Sequence, residues 1–217
     1  TGGGTLVLAL ATFSAVRSAN RSAQTAERTL LASLRPFLIH ARTDDPDEKI
    51  MWGDQHWAHV GQGKCVVESI GDAVYLALPL RNAGSGLAVL HGWHVWSSRL
   101  QGLEPHVDPD LFRAQARDLY VPAGDAGFWQ AALRKDDREV HPLLGASTTN
   151  RREDDEELRV RLAETITARG LFAIDLLYSD SEGGQRTISR FSLSPRGEGM
   201  WAAAVTKHWN LDRPDPR

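Results

Sequence analysis

A single cysteine, Cys65, leaves this chain without any internal disulfide, so a small disulfide-stapled scaffold is excluded. Flanked by Val66 and Val67, the thiol reads as a small buried hydrophobe rather than a nucleophile. Neither sign of charge dominates. The 25 Lys and Arg against 28 Asp and Glu leave a net charge of −3, which excludes the basic field of a nucleic-acid binder. There is no internal repeat and no low-complexity tract, and no apolar run reaches the roughly 20 residues that a spanning helix needs. What remains, at 217 residues and 41% hydrophobic, is one globular domain with room for an appendage.

The appendage is N-terminal. Thr1 to Val16 carries no charge, and then Arg17, Arg21, Arg28 and Arg35 follow, relieved only by Glu27. Two readings fit the uncharged run: the C-terminal part of a transmembrane helix cut at its start, or a signal-peptide core with Ala9-Leu10-Ala11 as a crude cleavage signal. The arginine-rich flank favours the first, on the cytoplasmic side. Residues 14–34 contain no Gly or Pro and carry a narrow apolar stripe of Ala23, Ala26, Leu30 and Leu34, which predicts a helix ended by Pro36. Residues 1–36 are therefore expected to be a truncated transmembrane segment and a basic juxtamembrane helix. They would make this a single-pass protein of the cell membrane, with the membrane as partner and the body in the cytoplasm.

Residues 37–211 read as a β-rich soluble domain, and 212–217 as a disordered tail. Period-two patterning and turn residues predict strands at 64–70, 73–80, 87–97, 127–133, 171–179, 185–193 and 200–209. A short helix is expected within 108–118, started by Asp108-Pro109. A longer one is expected after Thr148-Thr149-Asn150, with Leu158, Leu162 and Ile166 as its buried stripe and Gly170 as its stop. The fold class is mainly β: an antiparallel, immunoglobulin-like sandwich with one or two inserted helices.

Motifs that carry chemistry fail on spacing. Gly61-Gln62-Gly63-Lys64 lacks the phosphate loop's first glycine (Ala58) and its hydroxyl (Cys65), so a turn entering a strand is expected. Gly84-Ser85-Gly86 has Asn82 where a nucleophile elbow needs glycine. Two histidine pairs exist, His56/His59 and His91/His94. The second sits in a predicted strand, where an offset of three points the rings to opposite faces unless a bulge intervenes. Neither pair reaches the ligand count of a zinc site, and no cofactor or metal is expected. The acidic run Glu153 to Glu157 is explained by the helix dipole. The seven tryptophans interleave with histidine, and Trp52, Trp57, His91, Trp93 and Trp96 form a candidate aromatic surface for a peptide or glycan. The competing reading places the tryptophans in the core.

Residues 15–23, residues 80–88 with their Asn82-Ala83-Gly84-Ser85-Gly86 turn, and the stretch from Asp175 to Arg190 carry a resemblance. Together they resemble a group of uncharacterised membrane-anchored proteins of high-GC, actinobacterial-type genomes. The resemblance implies a tethered bacterial β domain and no catalytic residues. The expected function is thus a membrane-anchored, non-enzymatic interaction or accessory module. The rival is a hydrolase or metal-dependent enzyme built from histidines of the β domain. Convergence of His91 and His208 with Glu68 or Asp72 in one pocket would favour that rival.

Overall fold

The computed structural model describes residues 2–98, 105–135, 148–197 and 199–212. Helix α1 spans Gly2–Ser33 and leads into short strand β1 (Leu38–His40). A hairpin follows, β2 (Glu48–Met51) and β3 (Trp57–Val60), then β4 (Lys64–Ile70), β5 (Ala73–Asn82) and β6 (Ala88–Trp96). A single 3-10 turn at Pro109–Leu111 precedes β7 (Arg113–Val121) and β8 (Ala126–Arg134). Helix α2 (Thr148–Thr167) then leads to β9 (Phe172–Ser179), β10 (Thr187–Arg196) and β11 (Met200–Asn210). All pairings are antiparallel.

Nine strands form one sheet that folds over on itself. Strands β11-β10-β9-β6-β7 make one half, and β4-β5-β8 make the other, with β1 sharing an edge of β5 with β4. The halves join where Trp201 and Ala202 of β11 pair with Cys65 and Lys64 of β4. Leu76, Leu78, Trp129, Ile174 and Phe191 fill the space between them, and Leu158 and Leu162 of α2 close it from one side.

Strands β5 and β9 are buried along almost their whole length. That explains sequences that do not alternate cleanly: a strand covered on both faces needs apolar residues on both. The second face of β5 is covered by the β2–β3 hairpin, whose Ile50 and Val60 pack with Val66, Tyr75 and Ala77. The second face of β9 lies under residues 105–112, where Phe112 packs with Leu177 and Ile188.

Several expectations require correction. Helix α1 is continuous, but no helix among the described residues is long and apolar enough to cross a membrane. The uncharged run stops at Arg17 and is diluted by Gly2, Gly3, Gly4, Thr5, Thr12 and Ser14. The transmembrane segment, the single-pass anchor, the membrane as partner and the placement at the cell membrane all fall with that finding. A mainly β, antiparallel fold with two helices stands without the transmembrane element. The short helix expected within 108–118 is only the 3-10 turn, because from Arg113 onward the chain pairs with β6 and that pairing overrides local helix preference. Residues 61–64 form a tight turn into β4, with Gln62 at φ 52° and the Lys64 amide donating to Gly61 O.

The Asn82-Ala83-Gly84-Ser85-Gly86 segment is a clasp. The buried Asn82 side chain accepts from the amides of Phe37 (3.0 Å) and Gly84 (2.9 Å), and donates to the carbonyls of Gly86 (2.7 Å) and Val121 (3.0 Å). The chain leaving α1 crosses directly over this turn. A Cβ at Gly86 would lie 1.6 Å from Leu34 O, and one at Gly84 2.3 Å from Arg35 O, so only glycine fits either place.

Candidate functional site

The five residues of the expected aromatic surface do not meet. Trp93 lies in the core, edge-on to Trp129. Trp96 and His91 sit on the outer face of β6, where Trp96 Nε1 donates to Asp175 and His91 contacts Ser179. Trp52 and Trp57 belong to the hairpin on the other half of the sheet. A β-bulge at His91, between Leu90 and Gly92, turns His91 and His94 to the same outer face, against the simple alternation expected. They still do not converge. His94 pairs with Asp175, four residues along β9 from Ser179, a separation of about 13 Å.

Two serine–histidine contacts need testing as nucleophiles. Ser179 Oγ donates to Asp180 O at 2.7 Å, so its one proton is committed and His91 Nε2–H must be the donor in their 2.7 Å contact. That polarity is the reverse of an activated serine. Ser189 Oγ lies 2.7 Å from His208 Nδ1 and 2.8 Å from Tyr178 Oη, which accepts from the Leu38 amide. Ser189 and Tyr178 are fully buried, so no substrate carbonyl reaches either hydroxyl. Glu68 is occupied by His56, and Asp72 lies beside Lys135. His91, His208 and these acids are therefore scattered. No group of three potential metal ligands occurs among the described residues, so the metal-dependent enzyme is not supported either.

Comparison with protein families, with curated proteins and with solved structures finds no match. The resemblance to an actinobacterial-type membrane-anchored family is withdrawn, and with it the membrane-anchored accessory module.

Among the described residues, a group of polar and aromatic side chains surrounds the β2–β3 hairpin. Its tip turns back through Trp52, whose amide donates to His56 O at 3.0 Å and whose indole N–H donates to Ala131 O at 2.9 Å. The His56 ring stacks on Tyr75, centroids 4.1 Å apart, and its Nε2 lies 2.8 Å from Glu68 Oε2. Tyr75 O–H donates to Asp54 Oδ2, which also accepts from Arg134 Nε at 2.8 Å. The Arg134 guanidinium, followed by the Tyr75 and His56 donors, holds the Asp54 carboxyl below the usual carboxylate range. Burial and then the neighbouring Asp54 push the Tyr75 phenol up, which keeps it a proton donor at neutral pH. This latch has no nucleophile; its chemistry is to fix the hairpin. No motif could have revealed it, because Asp54, Tyr75 and Arg134 come from three distant segments.

The hairpin's outer face is open. Lys49 pairs across from His59, and Met51 across from Trp57. The Trp57 indole is 51% exposed, and Met51 42%. Lys49 Nζ lies 4.6 Å from the Trp57 ring centroid, and His59 Nδ1 lies 3.0 Å from Asp47 Oδ2. A half-exposed indole with the Lys49 ammonium over its ring thus stands near an imidazole and a carboxylate, on a strand pair pinned from below.

Two half-buried histidines set a pH dependence. Burial, and then Arg113 and Arg190, depress His94 to about 4 despite the opposing pull of Asp175; burial and then Arg35 depress His208 to about 4. Between the ordinary value of 6.5 and about 4, the unfolded imidazoles hold protons that the folded ones refuse. Stability is therefore complete above that window and falls as pH drops through it, by at most about 1.4 kcal/mol per pH unit per histidine. Asp45 and Asp54, held low by their arginines, lose stabilisation only below the ordinary carboxylate range. Thermal unfolding between pH 7.5 and 4.5 should show falling Tm, and His208→Gln should flatten part of the slope. An unchanged Tm across that range would rule out this origin.

Proposed function

We propose that this protein binds a saccharide on the outer face of the β2–β3 hairpin. The observation that carries the reading is Trp57, a half-exposed indole beside Lys49, His59 and Asp47 on a pinned strand pair. A sugar ring has an apolar C–H face and a rim of hydroxyls. The indole supplies a flat apolar plane, while the ammonium, imidazole and carboxylate supply donors and acceptors for the rim. The Asp54–Tyr75–Arg134 latch supports the same reading, because a platform already held in place loses little conformational freedom when a ligand arrives. Trp52 belongs to the foundation rather than the surface, buried with its N–H satisfied.

Calorimetric titration with cellohexaose, chitohexaose, xylohexaose and maltohexaose tests it, with tryptophan emission read in parallel. At least one should bind, and Trp57→Ala should weaken that binding tenfold or more while leaving Tm nearly unchanged, since the removed ring is exposed. Silence from all four sugars, or equal binding by Trp57→Ala, would overturn the reading.

A further inference from the structure

The chain between α1 and β1 is a strap that lies over the end of β11. Arg35 donates through an Nη to Asn210 Oδ1, the Phe37 and His208 ring centroids are 4.0 Å apart, and the Leu38 amide donates to Tyr178 Oη at 3.2 Å. Behind the strap, Tyr178 Oη, Ser189 Oγ and His208 Nδ1 form a line of hydrogen bonds of 2.8 and 2.7 Å. The polarity of that line follows from its ends. A backbone N–H only donates, so Tyr178 Oη accepts from Leu38. Tyr178 and Ser189 are fully buried, so each hydroxyl proton needs an acceptor within the line. One arrangement places both: Tyr178 donates to Ser189, and Ser189 donates to His208 Nδ1. Nδ1 must then carry a lone pair, which makes His208 neutral with its proton on Nε2.

A second proton on His208 breaks this order. Nδ1–H would have to donate to Ser189 Oγ, and one buried hydroxyl hydrogen would be left without an acceptor. The new imidazolium would also face Arg35 on the strap, whose positive field already reaches the ring, while β9 and β10 offer it the neutral Tyr178 and Ser189. On β1 the titratable residue is His40, which is exposed, and on β11 the neighbouring Lys207 alternates to the opposite face. The strap's other attachment has no such sensitivity, because the Phe37 amide is held by the uncharged Asn82 side chain. We propose that His208 is a proton-operated catch: neutral, it holds the strap on β11; protonated, it lets residues 35–38 come away while the sheet stays closed. The seam opens ahead of the body.

Native-state hydrogen exchange of the full chain at pH 7.5 and 5.0, without urea and in low urea, tests the catch. The Leu38 amide reports the strap, and the Leu176 amide in β9 reports the body. A proton taken up only on release multiplies the opening by up to about tenfold for each pH unit below the ordinary histidine value. Protection at Leu38 should therefore fall about tenfold or more between the two pH values, through an opening that low urea does not enhance. His208→Asn keeps an acceptor facing Ser189 but cannot become charged, and it should abolish that fall. Nitrogen-15 shifts of the His208 ring in the unaltered chain at pH 7.5 should show Nδ1 bare and Nε2 protonated, a measurement that needs no variant. Equal Leu38 protection at both pH values would overturn the proposal. So would Leu38 exchanging only together with Leu176 and with its urea dependence, an unchanged fall in His208→Asn, or a proton on Nδ1 at pH 7.5.

Discussion

Asp175→Ala is expected to lower unfolding stability by about 3–5 kcal/mol, as removal of one member of a buried ion pair does. Asp175 and Arg190 are both fully buried and pair across β9 and β10. The carboxylate accepts from Arg190 Nε and an Nη at 2.6 Å each, and from Trp96 Nε1 at 2.9 Å. The Arg190 guanidinium also lies 4.8 Å from the ring centroids of both Trp96 and Trp209, so its planar cation is enclosed between two indoles. Without Asp175 the buried cation loses the carboxylate that holds its Nε and Nη, and the Trp96 N–H loses its acceptor. Replacing both ions, Asp175→Leu with Arg190→Met, removes the desolvation cost at its source. That double variant should recover to within about 1–3 kcal/mol of the original, the residue being the unpaired indole N–H. Guanidinium denaturation of the single and double variants measures both quantities. A single variant losing under 1 kcal/mol would show that water reaches the site.

The second large effect is at Asn82. Asn82→Ala strips partners from two amides and two carbonyls at once, and at ~1 kcal/mol or more for each group left unsatisfied the loss should reach about 4 kcal/mol. Asn82→Asp is the sharper probe. It keeps both accepting contacts but sets a carboxylate oxygen against the carbonyls of Gly86 and Val121, so it should be no more stable than the alanine variant. Urea unfolding ranks the three proteins, and near-native stability of Asn82→Asp would mean that the clasp does not close as described.

How much of this was legible beforehand depends on where each residue's partner lies along the chain. The strands at 64–70 and 200–209 were readable because their own alternation and flanking turns specify them, and the stripe of Leu158, Leu162 and Ile166 marked α2. Strands β1, β2 and β3 are only three or four residues long and carry no period of their own; they exist because β5 and the hairpin register organise them. Strand β7 was mistaken in part for helix because the pairing that decides it comes from β6, some twenty residues earlier. The transmembrane reading failed for a different reason: an uncharged stretch was counted without weighing its glycines and hydroxyls. At the candidate site, Trp57 was legible as an aromatic. Its exposure was not, because that depends on which face of a four-residue strand meets Tyr75. The bulge at His91 lay equally beyond reach, since only alignment with β9 shows the extra residue.

Strand β5 has neighbours made both before and long after it: β4 ends at Ile70, whereas β8 begins at Ala126. The far seam, between β4 and β11, waits for Trp201. During synthesis, then, the N-terminal half emerges with open strand edges that β11 must seal. Closure of this sheet waits for β11, and a nascent chain stalled before it would present β4 and β10 as ready templates for pairing with another chain.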